Sequence, residues 1–317
     1  MGPAASVRAT PTDLVERQLR GRRTSVGGLA FEAGVLLALL LCLGVLVWLL
    51  ATVLVDGVPV VADRGTDLFT GELAATAERT GLAQGIFGSL GILLFVAVLS
   101  FPIGVGAAVY LEEYAGDTRF TRFVNVNIRN LAGVPSVVYG LLGLAIFVEA
   151  MGEVTGPSSN GRSLVAGGLT MAVLVLPIVV ITAAEALRAV PGSLREAGFA
   201  VGATRWEVTR GHVLPYAAPG ILTGTVLAFS RAVGEAAPLI VIGAVTGLII
   251  RGEQGLAERF QDRFTALPME IYTFTRNFRE GYLDLASATI VVLLGVLLLA
   301  NTAAILLRNR YDKRRQP

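Results

Sequence analysis

Six long apolar stretches, separated by shorter polar segments, dominate the sequence. Each stretch contains at least 23 residues and few charges, whereas a helix of a soluble bundle would show only an apolar stripe. Because a helix needs about 20 residues to cross the hydrocarbon core of a bilayer, the pattern predicts an all-α membrane protein with six transmembrane helices. The predicted spans are Phe31–Val55, Gly85–Leu111, Val126–Ala150, Ser163–Leu187, Tyr216–Ile250 and Leu285–Leu307.

The fifth apolar stretch is too long for one straight span. Its 35 residues would form a helix of about 52 Å, against a hydrocarbon core of about 30 Å, so we expect a break near Pro238. Glycine pairs in the third and fifth stretches predict close contacts between helices, although glycine is also common in membrane helices without such a role. The pairs are Gly140 with Gly143 and Gly220 with Gly224.

Lysine and arginine are distributed unequally between the polar segments. The tails (residues 1–30 and 308–317) and the segments 112–125 and 188–215 together carry 16, whereas the three alternate segments carry 8. Because Lys and Arg are retained on the cytoplasmic side, both tails are predicted to be cytoplasmic, with a six-span domain at 31–307 in the cell (inner) membrane. The five arginines before the first apolar stretch, without a cleavage signal, indicate a cytoplasmic tail and not a cleaved signal peptide.

The composition agrees with a membrane protein and gives no sign of an active site. Of the 317 residues, 54% are hydrophobic and 16% are charged, against about 25% charged in soluble proteins. The only cysteine, Cys42, and the only histidine, His212, lie far apart in the sequence, so we expect no intrachain disulfide, metal site, cofactor or catalytic residue. The chain has no GxxxxGK[ST] loop, so any ATP that drives it must be hydrolysed by another polypeptide.

A polar segment, Arg188 to Pro215, lies between the fourth and fifth stretches. It is too polar to span a membrane and too long for a turn. Pro191 and Ser193 are typical helix-start residues, and Leu194–Val201 is followed by Gly202 and by a second amphipathic run, Thr204–Val213. The pattern predicts two short helices joined at a glycine, which form a compact cytoplasmic knob.

The same segment resembles the motif of binding-protein-dependent ABC permeases, which is Glu-Ala-Ala, three residues, Gly, nine residues, Ile, one residue and Leu-Pro. The spacing is kept, with a glycine in place of the second alanine and the histidine, His212, in place of the isoleucine, so His212 is given no catalytic role. The resemblance implies the MetI-like architecture of type I ABC importers and a coupling helix that docks on the ATPase. The matching residues are Glu196, Ala197, Gly198, Gly202, Leu214 and Pro215.

Four other segments are similar to the permeases of the phosphate-specific importer, and the last of them resembles the PstA-type family more than the PstC-type family. The resemblance implies phosphate as cargo, and as partners a cytoplasmic ABC ATPase dimer (PstB-like), a second permease subunit (PstC-like), an external phosphate-binding protein (PstS-like) and membrane lipid, but no nucleic acid. A permease for sulfate, molybdate or polyamine would carry the same coupling motif, so the cargo stays open. The segments are FPIGVGAAVYLEEYA (101–115), GVPSVVYGLLGL (133–144), SRAVGEAAPL (230–239) and TALPMEIY (265–272).

Charged residues inside the predicted spans are rare. Of six, Glu32, Arg129, Glu149 and Glu185 lie close to span ends and can reach water or headgroups. Arg231 and Glu235 lie in the middle of the fifth stretch, one helical turn apart, so their side chains should meet.

Two interpretations of the Arg231–Glu235 pair are open. The pair can hold the fifth helix to its neighbours, or it can line the substrate path, because a guanidinium fits phosphate oxygens and the carboxylate can occupy it when no anion is bound. A more remote alternative is the ion relay of a secondary transporter or channel. Such proteins need no coupling knob, and the sequence shows no inverted repeat.

Overall fold

The computed structural model describes residues 26–244 and 255–313. Most of the predicted tails, and the predicted end of the fifth span at residues 245–250, lie outside them. The chain divides into two units after Thr52. The described residues of the first unit, 26–52, are helical, and every one of them is exposed.

Helix α1, Val26–Thr70, is 45 residues long and leaves helical geometry only at Gly65, where φ is 49°. It contains the predicted first span and continues beyond it. The remaining described helices of six residues or more are α2 (Ala83–Tyr114), α3 (Arg119–Ala132), α4 (Ser136–Ala150), α5 (Leu164–Arg188), α6 (Gly192–Ala200), α7 (Arg205–Gly234), α8 (Ala237–Ile242), α9 (Leu256–Gln261), α10 (Leu267–Thr275) and α11 (Tyr282–Lys313).

The all-α fold is confirmed, and so is the six-span pattern, with one change. Helices α1, α2, α5, α7 and α11 are each long and apolar enough to cross a membrane. The third predicted span is not one helix, because α3 and α4 meet at an angle of 100°. Pro135 explains the bend, since a proline disfavours helical geometry at the residue before it and cannot donate a backbone hydrogen bond.

Helix α5 lies at the centre of the second unit and is the most buried of the candidate spans. Its side chains form the main core with residues from α2, α4, α7, α8 and α10. The predicted Gly220–Gly224 contact is confirmed, because a Cβ added to Gly224 would lie 2.3 Å from the Thr182 hydroxyl of α5, and one added to Gly220 would lie 2.8 Å from the Ala186 methyl. Two spans thus approach each other closely because glycine has no side chain.

The glycines of the other predicted pair contact different helices. A Cβ on Gly140 would lie 2.8 Å from the backbone of Pro238 in α8, and one on Gly143 would lie 2.1 Å from the Thr170 hydroxyl of α5. Helix α4 is therefore packed tightly between α8 and α5.

Two smaller apolar clusters lie at opposite ends of the bundle. One joins the ends of α2 and α5 to α6 and the first turns of α7. The other joins the last turns of α1, the first turns of α2, and the helices α10 and α11. The bundle therefore presents two different surfaces, one built around α6 and the other around α10.

Candidate coupling segment and translocation path

Helix α6 forms the first half of the predicted knob. It begins at Gly192, after Pro191, and ends at Ala200, close to the predicted boundaries. Gly202 follows with a φ of 84°. The N–H of Gly202 donates to the Phe199 carbonyl at 3.0 Å, and the N–H of Ala203 donates to the Gly198 carbonyl at 3.2 Å. This pair of hydrogen bonds is the Schellman motif, in which a glycine ends a helix. A Cβ at Gly202 would meet nothing within 4 Å, so the backbone angle, and not close packing, favours glycine there.

The prediction of a second separate short helix is wrong. Thr204 begins a helix by a reciprocal capping box with Glu207, but this helix, α7, continues without a break to Gly234. Pro215 cannot donate to a carbonyl of the preceding turn, and the chain adapts by a wide π turn at Thr209–Val213 instead of ending the helix. The knob is therefore one short helix packed against the first turns of a spanning helix.

The motif residues divide into an inward and an outward group. Gly198 is buried, and a Cβ there would lie 2.6 Å from a methyl of Val208, so glycine lets α6 pack closely on α7. Glu196 and Ala197 are exposed and are available to a partner. Gly202 lies between α6 and α7, and the last two members belong to α7, where Leu214 is half-buried and Pro215 is exposed.

The single histidine, His212, is exposed on α7. It lines a shallow cavity of about 480 Å³ together with Pro191, Ser193, Leu194 and Ala197 of the α6 region. Across the described ranges, His, Cys, Asp and Glu nowhere gather in a group of three that could hold a metal ion.

Two arginine–glutamate pairs, which the sequence did not predict, attach the knob to the end of α2. Arg188 donates to Glu112 at 2.5 and 2.9 Å. Arg195 donates to Glu113 at 2.6 Å. The glutamates lie in the LEEYA sequence at the polar end of α2, 76 and 82 residues before their partners, and only the fold brings them together.

Arg231 and Glu235 form the predicted contact, with 3.3 Å between Nε and Oε1, but not on a continuous helix. Helix α7 ends at Gly234, and Glu235 is extended. Pro238 explains the position of the break, because its ring would clash with the Gly234 carbonyl four residues earlier and it has no N–H to donate. The break predicted near Pro238 thus falls one turn before it.

The two interrupted spans meet around this pair. The Tyr139 hydroxyl of α4 donates to the Leu131 carbonyl of α3 at 2.9 Å, across the 100° bend, and the next residue, Gly140, packs against Pro238, three residues after Glu235. The side chains of Arg231 and Glu235 are 40% and 23% exposed, so a solute or a neighbouring subunit can reach them. Interrupted helices are the usual surroundings of substrate sites in transporters.

A buried acid at the opposite end of the bundle was also missed. Glu270 of α10 is 3% exposed, and its carboxyl group lies against Gly85 in the first turn of α2, where a Cβ would come within 2.3 Å of Oε2. Burial raises the pKa of Glu270 well above its ordinary value, and the nearby Gly85 N–H offsets only part of that shift. The sequence contained the residue, in TALPMEIY, but no sign of its burial.

The sequence matches the family described as binding-protein-dependent transport system inner membrane component over residues 100–316. The phosphate transport system permease protein PstA 1 of Mycobacterium tuberculosis is 33% identical over 274 residues, which are 86% of this chain and 84% of that protein. PstA of Haemophilus influenzae is 34% identical over 246 residues, 77% of this chain and 80% of that protein. The probable ABC transporter permease YqgI of Bacillus subtilis is 33% identical over 202 residues, 64% of this chain and 65%, or less than two thirds, of that protein.

Solved structures with a similar fold include two ABC transporters. A chain of the MetNI methionine ABC transporter in an inward-facing conformation aligns with 73% of this chain and 95% of its own length, with a TM-score of 0.56 and 17% identity. A chain of a bacterial ABC transporter involved in the import of alginate aligns with 89% of this chain and 97% of its own length, with a TM-score of 0.57 and 15% identity. At these identities the likeness concerns the fold.

Proposed function

The chain belongs to the family of binding-protein-dependent transport system inner membrane components, and on that premise we propose that it is a permease subunit of an ATP-driven importer of inorganic phosphate. It forms the translocation path with a second permease subunit, and a cytoplasmic ABC ATPase dimer and an external phosphate-binding protein complete the importer. The observation that carries the phosphate assignment is the identity of 33–34% with two PstA proteins over 77% or more of the chain.

Uptake of labelled phosphate tests the cargo. In cells that lack this chain, restoring it should restore uptake at low external phosphate, and excess sulfate, molybdate or spermidine should not compete. Restored uptake of one of those solutes, without phosphate uptake, would assign the chain to another importer of the same family.

We place α6 and both termini in the cytoplasm, and assign coupling to Glu196, Ala197, Gly198, Gly202, Leu214 and Pro215. The exposed face of α6 with Phe199, together with the exposed Val201 that follows the helix, docks on the ATPase, while buried Gly198 lets α6 pack against α7. Because α6 is short and packed, it can pass a displacement to the spans instead of absorbing it.

We assign Arg231 to the translocation path and Glu235 to the role of its internal counter-ion. Partial exposure makes the guanidinium available to an anion, and its planar fork fits phosphate oxygens. A competing carboxylate keeps the residence of the anion short, as transport requires.

Substitution of both members separates the path from a packing role. Arg231→Gln should abolish anion passage and leave Glu235 without its partner, and Glu235→Gln should slow release of the anion. The double variant removes both charges, so the complex should be present in membranes at a near-normal level and still fail to move phosphate. Normal transport by the double variant would reduce the pair to packing.

A further inference from the structure

The end of α2 receives an arginine from each of three consecutive elements. Arg188 of α5 binds Glu112 with two hydrogen bonds, Arg195 of α6 binds Glu113, and the guanidinium of Arg205 in α7 lies 6.0 Å from the centre of the Tyr114 ring. Three consecutive residues at the end of α2 therefore contact the end of α5, α6 and the first turn of α7.

The Glu113–Arg195 pair is the best enclosed of these contacts. The Glu113 side chain is 6% exposed and that of Arg195 is 24% exposed. Arg195 also donates to the carbonyls of Leu187 and Val190 at 2.9 Å each, so its side chain caps the C-terminal end of α5. A cation is favourable beside those carbonyls, so Arg195 joins α2, α5 and α6 at one point.

Two glutamates at the C-terminal end of a helix are electrostatically unfavourable, because that end of the helix dipole is negative. Glu112 and Glu113 both occupy the last turn of α2, Tyr110–Tyr114. Their arginine partners supply the compensating charge. Separation of α6 from α2 would break the charge-assisted hydrogen bonds between Arg195 and Glu113, which are stronger than neutral ones.

We propose that the Glu113–Arg195 pair is a mechanical link through which displacement of α6 is passed directly to α2. The inference rests on the proposed coupling function and extends it. Helix α6 is joined by the chain only to α5 and α7, whereas α2 lies 82 residues earlier at the paired position. Without the pair, a displacement of α6 would reach α2 only indirectly, through the Arg188 contact of α5, the Arg205 contact of α7 and apolar packing. Glu113 and Arg195 are thus positioning residues for transport and not part of the path.

Spin labels report the link independently of the cargo. In a Cys42→Ala background, cysteines replace Ser193 on α6 and Tyr110 on α2, both exposed, in the complete importer. The distance between the labels should stay constant between the nucleotide-free state and the ATP-bound state of an ATPase unable to hydrolyse. Arg195→Met should make this distance change between the two states. A distance that already changes in the parent chain, by the same amount as in the variant, would overturn the proposal.

The second measurement is the amount of phosphate transported per ATP hydrolysed. Arg195→Met should lower the amount of phosphate moved per ATP hydrolysed by about 5-fold or more, the lower end of usual coupling between sites, while ATP hydrolysis continues. The matched control is Arg122→Met, because Arg122 pairs with Asp117 at 3.2 Å but the two side chains are 71% and 86% exposed, and such pairs contribute little. If Arg195→Met moved as much phosphate per ATP as the parent chain, the proposed link between α6 and α2 would be wrong.

A variant that fails to assemble does not end the test. The double change Arg195→Met with Glu113→Gln removes both charges, so neither member of the pair is left as an unpaired charge. It should assemble and show the same change in label distance. If phosphate is not the cargo, phosphate uptake fails in every variant and in the parent chain. If only the proposed link is wrong, the parent chain still takes up phosphate, and the label distance does not differ between the parent and Arg195→Met.

Discussion

Glu270 has almost no contact with solvent, and its ionisation should therefore affect stability. Its folded-state pKa is raised well above the ordinary 4.5, so the folded protein holds this proton in a pH range where the unfolded chain has released it. Stability must then fall as pH rises from about 4.5 to the folded-state pKa, by up to about 1.4 kcal/mol per pH unit.

The neutral variant Glu270→Gln measures this effect, because it cannot titrate. In detergent, the melting temperatures of the parent and the variant should diverge as the pH rises from 5 to 8, with the variant the more stable at pH 8. A difference that is independent of pH over that range would show that Glu270 does not change its ionisation on unfolding.

Gly202 is a second residue whose role follows from one measurable property, its φ of 84°. Gly202→Val should distort the end of α6, at a cost of about 1–2 kcal/mol for a left-handed residue, and reduce both transport and stimulation of the ATPase while the spans still insert. Gly192→Val is the matched control, since Gly192 also has nothing within 4 Å of an added Cβ and has no positive φ. Equal loss in both variants would mean that the glycine angle is not what the coupling needs.

At the scale of single residues, the sequence predicted what local rules control. The end of α6 next to Gly202 and the contact of Arg231 with Glu235 depend on spacing within a few residues. The pairs of Glu112 and Glu113, and the burial of Glu270, depend on residues 76 or more positions away, and no local pattern identifies them.

At the scale of helices, packing of α5 on α7 depends on glycine. Gly224→Ala should destabilise the protein by about 1–3 kcal/mol through overpacking, because the new methyl would meet Thr182 at 2.3 Å. Gly211→Ala, in the same helix with nothing within 4 Å, should not destabilise the protein and can stabilise it by up to about 1 kcal/mol, because alanine has the higher helix propensity. Thermal unfolding in detergent gives both values. If the two variants were equally stable, the close packing of α5 on α7 would not require a glycine at position 224.

The spans themselves were predictable because each apolar stretch exceeds the length that a bilayer requires. The errors have a common cause in proline. Pro135 bends the third span and Pro215 is accommodated inside α7 by a π turn, and neither outcome was predicted, whereas the break that Pro238 sets in the fifth span was. The sequence shows that each proline disturbs a helix, but tertiary packing decides whether the result is a bend, an end or a wider turn.

For the whole molecule, the distribution of Lys and Arg predicts which end of the bundle faces the cytoplasm. In a Cys42→Ala background, Ser193→Cys on α6 should be protected from an impermeant thiol reagent in intact cells and labelled in inverted vesicles. Ser158→Cys, exposed at the other end of the bundle, should show the opposite pattern. Labelling of Ser193→Cys from outside would overturn the topology and the coupling role together.

The central claim is that this chain moves phosphate only when a separate ATPase drives it. The most direct test is uptake of labelled phosphate by proteoliposomes that contain the chain, its partner permease and the ATPase, with binding protein outside and ATP inside. We expect uptake against a gradient that stops when the ATPase is replaced by a variant unable to hydrolyse ATP. Uptake that continues with the inactive ATPase, or without any ATPase, would contradict the account and favour a secondary transporter or a channel.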